Sequence, residues 1–282
     1  MSLSSPRVDH VLINVDASLD QAAEQYRRLG FTLTPRGHHS LGSSNHLAVL
    51  DNDYLELLGY ELQNASRAAG LWGKHQGLAG LVFKTQDADA LFTELSQRGV
   101  ALLGAPQAFH RPVELPDGSL KDARFRILHL DPVTVPSGRI FFCQHLDPDL
   151  VWRASWQQHA NGAHKIIRAV IASSDPESAI DLLARVFGDA AVQRIEGGRR
   201  LRAGQASIDY LTLEAARAQF GNEITLGEDG SDRKVALSLK TRSIASAKHA
   251  MLEGEVPFVQ HGTKAILVSA SQTYGVSLLF SE

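Results

Sequence analysis

One order of elements, strand, helix and three strands, returns four times along the chain, and this repeat limits the fold more than any other feature. The first copy opens on RVDHVLINV (Arg7 to Val15) and continues into a helix from Ser18 to Leu29. Its apolar or small residues recur at Leu19, Ala22, Ala23, Tyr26 and Leu29. Gly30 ends the helix, and strand-like runs follow at Phe31 to Arg36, His46 to Leu50 and Tyr54 to Leu58, with Asn52-Asp53 as a turn. Further copies start at Leu78, Ile166 and Val235, with helices expected at Asp87 to Arg98, Pro176 to Val186 and Ser243 to Leu252. Taking Val8 as the first start, the spacings are 70, 88 and 69 residues. The longer middle interval fits a linker between two pairs of modules, in the stretch His145 to His164. Trp152, Trp156 and Asn161-Gly162 interrupt the strand pattern there. The expected organisation is therefore residues 1–150, a linker at 151–162 and residues 163–282, with the tryptophans packing the two halves together. The proline-rich stretch Leu102 to Gly118 reads as a loop long enough to wall a site.

The 282 residues suffice for two cores, and 28 Lys and Arg against 31 Asp and Glu leave a formal charge of −3. No basic excess is available to neutralise phosphates, so nucleic acid is not an expected partner. A single cysteine, Cys143, suits a reducing compartment, and no signal peptide or membrane-length apolar run is apparent. A cytoplasmic protein with no membrane partner is expected. Four modules in one chain allow a monomer, with a homodimer as the alternative. Asn64-Ala65-Ser66 spells a sequon that counts only as a surface tripeptide without secretion.

Several segments taken together carry a family resemblance. They are VDHVLIN at Val8 to Asn14, LGF at Leu29 to Phe31, the loop GHHSLGSSNHL, YLELLG at Tyr54 to Gly59, and RIFFCQH, DPDLVW and HANGA between Arg139 and Ala163. The chain resembles the glyoxalase-like domain family of the vicinal oxygen chelate superfamily, which includes glyoxalases, bleomycin-resistance proteins and extradiol dioxygenases. The resemblance implies an α+β fold of four βαβββ modules paired into two open half-barrel cups. In metal-bearing members, first-strand histidines and last-strand glutamates of two modules meet in one cleft. Such a set suits a divalent ion, Zn, Mn, Fe or Ni, that stabilises charge on a substrate oxygen.

His10 and Glu56 fall on those positions and are the expected metal ligands, with Glu56 also a candidate catalytic base. Module two departs from the pattern, with Gly80 at the histidine position and Phe142 nearest the glutamate position. Gln144, on the Phe142 face, together with His145 and His129 is then expected to complete the ligand contacts. His38, His39 and Asn45, in or beside the glycine-rich loop, are expected to reach over the cup mouth. Cys143 reads as a buried structural thiol more readily than as a nucleophile paired with His145. In the second half Arg168 and Asp209 occupy the equivalent positions and should form an ion pair, while Ala236 and Leu278 to Phe280 offer no ligands. The function implied is binding of a small polar organic molecule in the N-terminal cup, with metal-dependent lyase, isomerase or dioxygenase activity. The alternative is a non-catalytic sequestration protein.

Overall fold

The computed structural model describes residues 6–60, 64, 76–115, 117–135 and 137–282. Module one comprises β1 (Val8–Asp16), α1 (Leu19–Arg28), β2 (Gly37–His38), β3 (Ser43–Val49) and β4 (Tyr54–Tyr60); module two comprises β5 (Gly77–Lys84), α2 (Ala88–Gln97), β6 (Gln107–Glu114), β7 (Leu120–His129) and β8 (Arg139–His145). They share one eight-stranded sheet in the order β2-β3-β4-β1-β5-β8-β7-β6. The first strands of the modules meet antiparallel at its centre, and each runs parallel to the last strand of its own module.

The second half repeats the plan. It holds β9 (Ala163–Ser173), α3 (Pro176–Ala179), α4 (Asp181–Phe187), β10 (Val192–Ile195), β11 (Gly198–Ala203), β12 (Ala206–Thr212), α5 (Leu213–Phe220), β13 (Arg233–Thr241), α6 (Ile244–Glu253), β14 (Val259–Gln260), β15 (Ala265–Val268) and β16 (Ser277–Ser281). Its sheet order, β10-β11-β12-β9-β13-β16-β15-β14, matches the first strand for strand. The architecture is thus the expected pair of two-module cups. Among the described residues no helix is long and apolar enough to cross a membrane.

Strand alternation sorts side chains onto two faces. Val11, Ile13 and Val15 of β1 join Leu19, Tyr26 and Leu29 on the outer side, in a core cluster that continues into Ile166, Ile171, Leu237 and Phe280 of the second half. One apolar core therefore holds both halves. Polar contacts fix their register: Tyr26 donates to Thr273 O (3.2 Å), Asn161 Nδ2 to Leu29 O (2.9 Å) and the buried Lys234 Nζ to Ser137 O (2.7 Å). Trp152 and Trp156 pack on the inner cluster of the N-terminal cup and not between the halves as expected.

Two elements depart from the sequence pattern and both shape the cups. The stretch 102–118 is not simply a loop, because β6 forms a long hairpin with β7 in which Pro112 faces Asp122. β6 is an edge strand, where a missing N–H is tolerated, so the prolines hide the strand without preventing it. Its backbone meets module one, as Ser40 N donates to His110 O (3.0 Å) and His110 N to Ser40 Oγ (3.2 Å), which draws the lips of the first cup together. The stretch Phe31 to Arg36, expected as a strand, is irregular, and the pairing strand is the two-residue β2.

The second departure is α5, inserted between β12 and β13. Its Ala216 and Phe220, followed by Ile224, pack against Val170, Ala172, Leu211, Val235 and Ala236 on the inner face of the second cup. The expected pair of Arg168 with Asp209 is present at 2.5 Å, and Arg200 adds two contacts of 2.6 Å to the fully buried carboxylate. Arg168 also donates to Gln219 Oε1 on α5 (2.9 Å) and lies over the Phe220 ring. Helix α5 thus covers part of the inner face of the second cup.

The turn at 50–53 fastens the first cup to β9, with Asp53 Oδ1 accepting from Ile166 N at 3.1 Å. Burial pushes the Asp53 carboxyl up to about 7, against the lowering effects of that hydrogen bond and of Lys84. The folded protein therefore keeps a proton that the unfolded chain releases near pH 4, so this group's contribution to stability falls between about pH 4 and pH 7 and is constant above. In chemical denaturation across that range, Asp53→Asn should gain stability relative to the native protein by up to a few kcal/mol as pH rises. A difference independent of pH would contradict a neutral buried Asp53.

Candidate functional site

The first cup begins with an irregularity in β1. Val8 pairs with Phe83 and His10 with Val82, so Asp9 is the extra residue of a β-bulge, a device that re-aims side chains. The bulge brings Asp9 to the same cluster as His10, and His10 Nδ1 lies 3.5 Å from Asp9 Oδ1. His145, from the end of β8, holds the Asp9 carboxylate through Nε2 at 2.9 and 3.0 Å. Asp9 is completely buried. Burial alone would raise its pKa, but the His145 charge and the bonding from His10 and His145 keep it well below the usual carboxylate range.

His10 stacks on Tyr54 at 4.3 Å between ring centroids and presents Nε2 to Glu56 Oε2 at 3.5 Å. Glu56 lies on β4 opposite Leu47, which makes Asn45 its diagonal neighbour on one face. Asn45 Nδ2 donates to Glu56 Oε1 at 2.6 Å, and its Oδ1 accepts from Arg111 Nη1 at 3.2 Å. His39 Nδ1 bonds Ser43 Oγ at 2.8 Å, and Nε2 accepts from Asn45 at 3.1 Å. Burial lowers His39 to about 4, so it is a neutral ring near neutral pH. His129 stands elsewhere on the wall against Phe141, and burial lowers it also to about 4.

These groups border a cavity of about 130 Å³ whose remaining walls are largely apolar, with Leu12, Leu47, Tyr54, Leu58, Phe125 and Phe141 among them. Of the residues singled out from the sequence, His10, His39, Asn45, Glu56 and His129 line this cavity. His145 sits behind it on Asp9. His38 and Gln144 are elsewhere. His38 is exposed, with Nδ1 3.2 Å from Ser44 Oγ, because neighbours in an extended segment point to opposite sides and His39 takes the inward one. Gln144 shares the outer face with Phe142 and holds the start of α2, accepting from Ala88 N (3.0 Å) and donating to Gln86 O (2.7 Å).

Strand register also corrects the counterpart of Glu56 in module two. Leu12 pairs with Glu56 and, one module on, Val82 pairs with Phe141, so the equivalent residue is Phe141 and not Phe142. A one-residue slip moves the assignment to the wrong face. At the other position a Cβ on Gly80 would come within 2.3 Å of Leu12 Cδ1, so Leu12 takes the space of the missing histidine. At the family positions the donors present are therefore His10 and Glu56, two where the resemblance implies four. Among the described residues, Asp9, Cys143 and His145 form a group whose ligand atoms lie within 4.8 Å of one another, and this set, with Asp9 and Cys143 buried and His145 partly so, suits metal binding. Without a metal, burial keeps the Cys143 thiol protonated, with Asp9 and Glu56 nearby adding to the effect, so it is no nucleophile.

Asp9 and Arg111 were not singled out from the sequence. Alternation places Asp9 opposite His10, and only the bulge overrides that. Arg111 lies in the proline-flanked stretch read as a loop.

A family model described as a glyoxalase-like domain matches residues 8–187, which span the whole first cup. A hypothetical protein from Staphylococcus aureus has a similar structure, with a TM-score of 0.70 and 14% identity over 98% of this chain and 99% of that one. A mutant of 4-hydroxymandelate synthase from Streptomyces coelicolor matches with a TM-score of 0.56 and 11% identity, covering 99% and 94% of the two chains. A fusion protein of a xylose isomerase-like TIM barrel with 4-hydroxyphenylpyruvate dioxygenase matches over 100% of this chain and 50% of its own, with a TM-score of 0.54 and 13% identity. No curated protein matches the chain in sequence. At these identities the structural likeness establishes the fold, and the sequence match establishes the kinship: the chain belongs to the glyoxalase-like domain family.

Proposed function

We propose that the N-terminal cup binds a small organic molecule and that Glu56 and His10 act on it by proton transfer, an isomerase- or lyase-type activity. One observation carries this reading. His10 lies between two buried carboxylates, 3.5 Å from each, with Asp9 behind Nδ1 and Glu56 beside Nε2 at the wall of a largely apolar cavity. Asp9 stands behind the imidazole on its Nδ1 side, while Glu56 and His10 place an acceptor and a donor of protons side by side. The stack on Tyr54 fixes the ring plane. The sequestration reading is favoured by the apolar walls and by the absence of ligands at Gly80 and Phe141.

Solvent exchange separates the two readings. Incubating the protein in D2O with a panel of small carbonyl compounds should move deuterium into an acidic C–H position of a bound member, as seen by NMR. Glu56→Gln should slow that exchange by about a hundredfold or more, while ligand affinity stays within about threefold. Binding without exchange in the native protein would favour sequestration, and unchanged exchange in the variant would remove Glu56 from the chemistry.

A divalent ion, where present, belongs on Asp9, Cys143 and His145, and it would supply Lewis-acid stabilisation of charge on a ligand oxygen. A thiolate among the donors favours Zn or Fe over Mn. Elemental analysis of freshly purified protein should show metal that is lost in Cys143→Ser and retained in Glu56→Gln. Loss in Glu56→Gln with retention in Cys143→Ser would return the site to the His10 and Glu56 positions.

A further inference from the structure

Arg111 lines the cavity of the first cup and takes no part in the proton transfer between Glu56 and His10. Its guanidinium crosses from β6 towards β3 and is only 3% exposed. Room for it comes from Gly37, where a Cβ would lie 2.5 Å from Arg111 Cδ and 2.6 Å from Nη1. Among the described residues no carboxylate lies within 4.0 Å of it, and its side-chain hydrogen bond is the one to the neutral Asn45 carbonyl. Burial lowers its pKa, opposed by Tyr54 and by Glu56. A buried cation without an anionic partner is costly, and arginines elsewhere in this chain illustrate the usual remedy: Arg168 and Arg200 both close on Asp209.

Asn45 is what keeps the two charges of the cup apart. Its amide carbonyl faces Arg111 and its amide nitrogen faces Glu56, so one side chain separates guanidinium from carboxylate. The alternative role for Arg111, a purely structural latch across the lips, is already served by the two hydrogen bonds between Ser40 and His110. A latch would also be better built with a carboxylate at position 45.

We infer that Arg111 is the anchor for a ligand carboxylate, so that the molecule taken by the first cup is a small organic acid with an apolar body. This inference rests on the reading of that cup as the ligand site. The planar two-oxygen head matches the guanidinium fork, and a cavity of about 130 Å³ lined by Phe109, Phe125 and Phe141 suits a body of about one ring. Because Asn45 touches both Arg111 and Glu56, a carboxylate on Arg111 brings the adjoining carbon towards Glu56 and His10. Arg111 is thus a binding and positioning residue, and Glu56 the proton acceptor.

Calorimetric titration of the full chain with phenylacetate, phenylacetamide and phenethylamine tests this, since the three share a ring and differ in charge. Phenylacetate should bind about tenfold or more tighter than phenylacetamide, with phenethylamine weakest. In Arg111→Gln the preference for the acid over the amide should vanish. Equal binding of acid and amide by the native protein would overturn the carboxylate inference and leave the cup as a ligand site. A preference that survives in Arg111→Gln would overturn it too. Failure of all three to bind would count against both the inference and the cup reading, and the native comparison stands even where the variant fails to fold.

Discussion

Asp9 is wholly buried, and a carboxylate removed from water costs several kcal/mol unless charged or hydrogen-bonding partners surround it. In this chain the partners come from both modules of the first cup. His145 ends the last strand of module two, His10 follows Asp9 on the first strand of module one, and the two first strands pair at the centre of the sheet. Satisfying one carboxylate therefore requires the two modules to be correctly joined. It also sets the orientation of the imidazole that faces Glu56. The polar wall of the cavity is a consequence of that buried charge, through a line of contacts from His145 to Asp9, His10, Glu56, Asn45 and Arg111.

The two cups show how one backbone plan leads to different outcomes. In both, the central strands pair antiparallel and the outer face joins a shared apolar core. In the first, the inner face keeps a cavity, bounded by β6 and by the loop that carries His39. In the second, Arg168 stands at the position of His10 and pairs with Asp209, and the inserted helix α5 packs Phe220 against the inner face. A fixed positive charge paired to a buried carboxylate is a poor neighbour for a divalent ion. Among the described residues, the cavity lined by His10, Glu56 and Arg111 belongs to the first cup.

The repeat, the pairing of modules and the approach of His10 to Glu56 were legible because they depend on periodicities that the residues write directly. What was hidden depends on local exceptions to those periodicities. Asp9 enters the cluster through a bulge, which moves one residue against the strict alternation of the strand. Gln144 and Phe142 were placed on the cup side through a one-residue register error, which inverts every side chain of a strand. Arg111 was overlooked because the prolines at 106 and 112 resemble a loop, although an edge strand tolerates them. Helix α5 carries LEAARAQF, a good helical sequence, but the four-module pattern has no place for an extra helix.

The cavity beside His10 and Glu56 lies in the first cup, and ligand entry there, with the second cup closed by α5, can be seen directly. Crystals of the native protein soaked in a mixture of small aromatic fragments would show this without reference to any activity. Density should appear in the first cup, against Tyr54, Phe125 and Phe141, with α5 still seated in the second. A fragment lodged between Arg168 and Asp209, with the first cup empty, would contradict it.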